Sequence, residues 1–146
     1  MGWEREGFMG VPNGAPGVLE RMPVVYSEGV SKGKISLTTY VKVTSTNAAK
    51  MFGLYLRKGI IAPGSDADIM VFDPEKKVSL GEGWYEGIDW SLYEGMKIKG
   101  FPAMTLVRGK VVAKDGKCIA DAGYGEFIHW EMDQVLLIIF KLVFLI

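Results

Sequence analysis

The sequence predicts an α+β chain, helices first and antiparallel strands after, on three observations. Apolar residues recur at spacings of three and four between residues 18 and 53, the mark of helices with one buried face. Short apolar runs separated by glycine-bearing two-residue turns follow between residues 69 and 120. Between the two, Gly59, Pro63, Gly64, Asp66 and Asp68 punctuate a turn where the periodicity changes. With 146 residues and 49% hydrophobic content, the chain is long enough for one buried core, as a single domain or part of a larger one.

The elements follow in order. Gly2, Gly7, Gly10, Pro12, Gly14, Pro16 and Gly17 force an irregular entry loop. Val18, Leu19, Met22, Val25 and Tyr26 then describe a helix from Val18 to about Gly29, which is read as its stop. Ser36 is placed to cap a second helix through Leu37, Tyr40, Val41 and Thr44. Thr46 or Asn47 is expected to cap a short third helix over Ala48–Phe52, with Gly53 supplying its left-handed end. Ile69–Phe72 reads as a buried strand stopped by Asp73-Pro74.

Residues 81 to 95 mix four glycines with Trp84, Tyr85, Trp90 and Tyr93, which suits a packed loop whose aromatics cover a core. Met104–Arg108 and Val111–Lys114 form two strands around a turn at Gly109-Lys110, and Asp115-Gly116 turns the chain again into Lys117–Ala120. The last twelve residues, 135 to 146, are apolar except for Lys141. A membrane span needs about 20 such residues, so an anchor, a buried terminal helix and an aggregation-prone tail all remain open for this stretch.

Composition narrows the function classes. Seventeen basic residues balance seventeen acidic ones without a continuous basic stripe, which argues against a nucleic-acid partner. The single cysteine, Cys118, allows neither an internal disulfide nor a cysteine metal site, and it is read as a small buried hydrophobe near a strand. A reducing, cytoplasmic location fits, since Gly2-Trp3-Glu4-Arg5-Glu6 lacks the basic-then-apolar pattern of a secretory leader.

The ordered series Pro12-Asn13-Gly14-Ala15-Pro16-Gly17, Glu20-Arg21, Val43 to Tyr55, Arg57-Lys58-Gly59, Gly64-Ser65-Asp66-Ala67-Asp68-Ile69, Asp73-Pro74, Tyr93-Glu94-Gly95 and Arg108 to Val112 resembles the C-terminal third of hydantoinases and dihydropyrimidinases. Gly-Ser-Asp-Ala-Asp alone is widespread among amidohydrolases, whereas the whole series across residues 11 to 128 is specific. Leu56 departs from a proline common before Arg-Lys-Gly, and the sequence after Phe127-Ile128 leaves the family pattern altogether.

The resemblance implies a fragment of a metal-dependent (β/α)8 barrel enzyme that carries a β-sandwich. Residues 1–58 would be its last barrel loop and closing helices, residues 59–128 its C-terminal share of an antiparallel sandwich, and residues 129–146 a non-family apolar tail. Such a division suggests a truncated or frame-shifted reading, of low stability and with exposed apolar patches. The implied reaction is hydrolysis of the cyclic amide of dihydropyrimidines or hydantoins to N-carbamoyl amino acids. The implied cofactor is a pair of divalent metals, zinc being expected, held by the complete enzyme and not by this stretch. The implied assembly is a homotetramer. Asn13 matches the family asparagine whose backbone groups hydrogen-bond the substrate ring, the alternative being that Asn13-Gly14 is only a turn. Gly14 and Gly17 would let the backbone bend toward a ligand.

The family's metal ligands are a His-x-His pair, a carboxylated lysine, two further histidines and an aspartate, all upstream of the matched region. His129, the only histidine here, is read as a surface or packing residue. Asp66 and Asp68 are read as turn formers, because two carboxylates alone hold a cation weakly. No histidine lies near Ser27, Ser31, Ser36 or Cys118 to activate a nucleophile. The expectation is a chain inactive by itself. The rivals are a non-catalytic interaction module of the same fold, acting through oligomer contacts, and a remnant tethered to a membrane by residues 135 to 146.

Overall fold

A computed structural model describes residues 14, 16–81 and 91–129. Its helices come first. α1 (Arg21–Val25) runs without a break into a wider π-helical segment (Tyr26–Val30), where Ser31 N–H reaches back five residues to the Tyr26 carbonyl at 2.9 Å. Pro23 lies in the first turn, where a missing N–H costs nothing, and is fully buried. The expected start at Val18 is three residues early: Val18 and Leu19 lie in a turn and are exposed. Gly29 is not the stop either. It sits inside the π segment, and its carbonyl accepts the Lys34 N–H at 2.8 Å as the chain turns away.

Ser36 caps α2 (Leu37–Val41) as expected, its extended backbone placing Oγ 3.0 Å from the Thr39 N–H. The second and third helices are one continuous rod. A π segment (Lys42–Thr46) joins α2 to α3 (Asn47–Met51), and Thr46 and Asn47 have helical backbone angles, so neither caps. The threonine hydroxyls bond elsewhere: Thr44 Oγ1 donates to the Tyr40 carbonyl at 2.7 Å, and Thr46 Oγ1 to the Gly59 carbonyl at 2.9 Å. Gly53 does close the rod, at φ 64°, with Leu54 N–H bonded to the Ala49 carbonyl at 2.8 Å.

The strands β1 (Ile69–Ser79), β2 (Lys97–Val107), β3 (Lys110–Lys114) and β4 (Lys117–Cys118) form one antiparallel meander in the order β1-β2-β3-β4. Asp73-Pro74 does not end the first strand. Asp73 Oδ1 accepts the N–H groups of Glu75 and Lys76 at 2.9 and 3.2 Å, the register shifts there, and pairing resumes at Lys77↔Lys99. β1 is an edge strand, and an irregularity on an edge is where a sheet tolerates proline.

The first hairpin turn is Arg108-Gly109, one residue earlier than expected, closed by Val107↔Lys110. Both central residues have positive φ, 47° and 79°, as a type I′ turn requires. Arginine is an unfavourable choice there, and its neighbours hold it. Its N–H donates to Asp68 Oδ1 at 2.8 Å, Nη2 donates to the Tyr124 carbonyl at 2.6 Å, and the guanidinium lies 4.4 Å from the centre of the Tyr124 ring. Asp115-Gly116 forms the second hairpin turn as expected, although β4 beyond it is only two residues long.

The core lies where α1 meets the sheet: Val24, Val78, Leu80, Ile98 and Phe101, with Tyr93 and Met96 packed against it. Tyr93 therefore covers the core as expected, whereas Trp84, Tyr85 and Trp90 lie outside the described residues. A second cluster of rings ties the rod to this core, with Tyr26 5.7 Å from Tyr40 and 4.6 Å from Phe72. The expected exposed apolar surface is present on the rod, where Leu37, Val41, Val43, Met51 and Phe52 are about half or more open to solvent.

Candidate functional site

The entry to α1 is where the sequence places ligand contact. Asn13 lies outside the described residues. Of its neighbours, Gly14 and Gly17 stand in open space: a Cβ built on either would meet no atom within 4 Å. Nothing among the described residues requires glycine at these positions. The Gly17 carbonyl accepts the Arg21 N–H at 2.9 Å, across the turn that leads into α1.

Directly after this loop a carboxylate is buried. Glu20 is 3% exposed, and the hydroxyl of Ser91 donates to its Oε1 in a short hydrogen bond while accepting the Tyr93 N–H at 2.9 Å. The pair fixes the start of α1 to the segment that leads into β2. Sequence reasoning quoted Glu20-Arg21 only as part of a motif. The available signal was the charged pair Glu20-Arg21 set between Leu19 and Met22, where a helix was expected to be apolar.

Beside this entry opens an apolar groove of about 520 Å³, lined by Val18, Leu19 and Met22 before and within α1, by Met70 and Met104 on β1 and β2, and by Cys118. Cys118 is exposed at the rim, not buried as expected. Its strand ends after two residues, and nothing beyond it covers the side chain among the described residues.

Asp66 and Asp68 are more than turn formers. Lys58 Nζ lies 2.8 Å from Asp66 and closer still to Asp68, and Arg57 Nε is 3.0 Å from Asp66. Hydrogen bonds from Lys58, then Arg57, hold the Asp66 carboxyl below its usual range. Partial burial would raise the Asp68 carboxyl, but the hydrogen bonds from Lys58 and the Arg108 N–H outweigh it and lower it as well. Burial would likewise lower the Lys58 ammonium, and its two carboxylate partners raise it instead. This network pins the loop after the rod to the first hairpin. Its contribution to stability is present at neutral pH and lost as pH falls below the ordinary aspartate range.

The donor set does not fit a metal pair. Among the described residues no group of three or more His, Cys, Asp and Glu side chains could hold a metal ion. His129 is exposed, its ring 4.9 Å edge-on from that of Phe127. Both carboxylates of the Gly64–Asp68 loop are engaged by Lys58. No helix among the described residues is long and apolar enough to cross a membrane, and residues 135 to 146 lie outside them.

Comparison with known proteins decides the relationship. The model of the amidohydrolase family matches residues 10–112. This chain belongs to the amidohydrolase family. Within it, the chain is similar over most of its length to about a quarter of the hydantoinases and dihydropyrimidinases. It is 45% identical over 125 residues to a D-hydantoinase of Ralstonia pickettii, covering 85% of this chain and 27% of that protein. It is 43% identical over 125 residues to the dihydropyrimidinase of Rattus norvegicus, covering 85% of this chain and 24% of that one. The human dihydropyrimidinase-related protein 5 is 43% identical over 124 residues, 84% of this chain and 22% of its own length.

Among solved structures, the D-hydantoinase of Bacillus sp. AR9 superposes with a TM-score of 0.80 at 44% identity, covering 85% of this chain and 27% of that one. The dihydropyrimidinase of Brevibacillus agri gives 0.78 at 41% identity, covering 83% and 26%. The chain thus spans about a quarter of the length of the relatives it matches.

Proposed function

We propose that this chain is the C-terminal share of a cyclic amidohydrolase of the dihydropyrimidinase/hydantoinase type, and that it contributes to ring binding and to the scaffold without performing the hydrolysis itself. The observation that carries the reading is the 45% identity to a D-hydantoinase over most of this chain, taken with the single histidine of its sequence, His129. In this reading residues 1–58 are the last loop and closing helices of a (β/α)8 barrel, and residues 59–128 belong to a β-sandwich. The complete enzyme, a homotetramer in the cytoplasm, opens dihydropyrimidine or hydantoin rings to N-carbamoyl amino acids with a divalent metal pair, zinc being the expected ion. No step through that pair is assigned to residues of this chain.

The role of the chain's own residues is positional. The backbone of Asn13 offers an N–H and a carbonyl to the ring's complementary amide groups, and Gly14 and Gly17 let the backbone bend toward the ligand. The Glu20–Ser91 pair anchors the far end of that loop. A pair of backbone groups recognises a cyclic amide without a side-chain charge that would have to be desolvated.

The experiment is an assay of the purified chain with hydantoin and dihydrouracil in the presence of zinc. No N-carbamoyl product is expected, and sustained product formation by the chain alone would overturn the reading. In a complete enzyme carrying this stretch, Asn13→Ala, which keeps the backbone groups, should retain ring opening. Asn13→Pro, which removes the N–H, should lose it.

A second reading rests on the exposed apolar residues of the rod: an interaction module of the same fold that acts through contacts with other copies. Sedimentation of the purified chain separates the two, since a discrete oligomer without activity in any reconstitution favours the module. Tethering by residues 135 to 146 would appear as recovery in the carbonate-resistant membrane fraction.

A further inference from the structure

The apolar groove of about 520 Å³ beside the entry to α1 is a surface of the sheet that faces the helices but is not covered by them. The pairing register sets Met70, Thr105, Ala113 and Cys118 in one row across all four strands, and each of them lines the groove. Residues directly opposite one another share a face of a sheet. On β1, Met70 shares its face with Phe72, whose ring packs 4.6 Å from that of Tyr26, so the row looks toward the helical side. Leu80 and Phe101 of the core also line the groove, which makes it a continuation of the core. Val18 and Leu19 at its rim are more than half exposed, and Cys118 is exposed at its far side.

A second apolar surface is encoded in the same chain. Residues 135 to 146 are apolar except for Lys141, and they lie beyond residues 10–112, the stretch that matches the amidohydrolase model. Twelve residues fall short of the roughly 20 that a membrane span needs. A segment of this composition left in water is an aggregation hazard.

We propose that residues 135–146 fill this groove and cover Cys118. The chain brings the two within reach. Arg108 Nε lies 3.4 Å from Glu126 Oε1, which sets residue 126 beside the first hairpin turn. Thr105, in the middle of the row, is three residues from Arg108, about 10 Å along the strand. Nine residues separate 126 from 135, and extended they span about 30 Å. Joined by so short a segment, the two surfaces meet at an effective concentration on the order of millimolar, so an encounter within one chain outcompetes one between dilute copies. Each surface then removes the other's apolar area from water. The groove contains neither Asn13 nor Glu20, so this proposal stands or falls independently of the amide-ring reading.

Cys118 is the only cysteine of the chain, so its alkylation rate reports on the groove alone. The test is labelling of the full 146-residue chain with iodoacetamide, a neutral reagent, under native conditions. Ile139→Asn/Phe140→Asn, within the apolar segment, should speed labelling roughly tenfold or more by uncovering the thiol. Leu19→Asn should do the same from the groove side, and because Leu19 is exposed among the described residues the core stays intact. Leu37→Ser, on the open side of the rod, should leave the rate unchanged, and in the parent chain the rate should be the same at every protein concentration. Equal rates in the parent chain and both asparagine variants would overturn the proposal, as would an equal acceleration by Leu37→Ser. Protection that grows with protein concentration would overturn it in favour of a second copy in the groove. Loss of protection on adding phosphatidylcholine vesicles, with the chain sedimenting with them, would overturn it in favour of a lipid surface for residues 135–146.

Discussion

The sheet and the helical rod are built on opposite terms. Strands β1 to β4 pair with one another in a continuous meander, close their hairpins with local turn chemistry, and bury Val78, Ile98 and Phe101 against α1. The rod from Leu37 to Met51 buries only Tyr40 and Ala49, while Leu37, Val43 and Met51, and Phe52 just after its end, stand more than half exposed. A region whose backbone partners and core come from its own sequence neighbourhood can be stable within this chain. A helix with large apolar residues on its open side gains less from burial within this chain. The difference suits the family relationship, in which this chain spans about a quarter of its relatives' length.

Substitutions can break or sharpen that contrast, and the largest effect belongs to the sheet. Ile98→Ala, at 3% exposure, removes apolar volume from the middle of the core and should cost about 3 kcal/mol, read as a lower urea midpoint. Next comes the contact of sheet and helix at Gly100. It has φ 92°, and a Cβ there would run into the Tyr26 ring. Gly100→Ala should therefore cost about 2 kcal/mol, because backbone strain and overpacking act together. If both variants unfold at the midpoint of the unchanged protein, the core does not lie where α1 meets the sheet.

A smaller effect comes from Tyr40, the rod's main anchor. Its hydroxyl donates to the Met22 carbonyl at 3.1 Å, and burial, with a lesser contribution from Tyr26, pushes its pKa up to about 12 from 10.0. Because the folded value lies above the unfolded one, the stabilisation is fully present below pH 10 and disappears as pH rises toward 12. Tyr40→Phe should cost about 1 kcal/mol at pH 8 and flatten the loss of stability across that alkaline window. Denaturation midpoints at pH 8 and pH 11.5 check both statements. Smallest of all is Leu37→Ser on the open side of the rod. Stability should move by no more than about 0.5 kcal/mol, while self-association measured by light scattering should fall. A large loss of stability there would mean that the rod is covered within the chain itself.

The same contrast explains what could be read in the sequence. Ser36 as a cap, Gly53 as a helix end and Asp115-Gly116 as a turn were legible because each depends on a few adjacent residues. The turn at Arg108-Gly109 was misplaced by one residue because the groups that make arginine tolerable there, Asp68 and Tyr124, are distant in sequence. Asp73-Pro74 looked like a stop because the edge position of β1, which tolerates an irregularity, is a property of the sheet. The rod was divided in two because a π segment keeps helical backbone angles and leaves no sequence punctuation. Cys118 looked buried because cysteine usually is, whereas its burial depends on a neighbour that β4 lacks among the described residues. Of the candidate site, the motif around Asn13 was legible only through family resemblance, and of the Glu20–Ser91 pair, 71 residues apart, the sequence showed a charge at an apolar helix start but not its partner.

Reconstitution is the decisive measurement: mixing the purified chain with the amino-terminal three quarters of a D-hydantoinase, with zinc, and following hydantoin opening. The expected result is activity in the mixture and in neither part alone, with the rod from Leu37 to Met51 gaining protection from hydrogen exchange. Turnover by the chain alone, or a mixture in which the rod's exchange is unchanged and no activity appears, would contradict the view that its open face is half of an amidohydrolase interface.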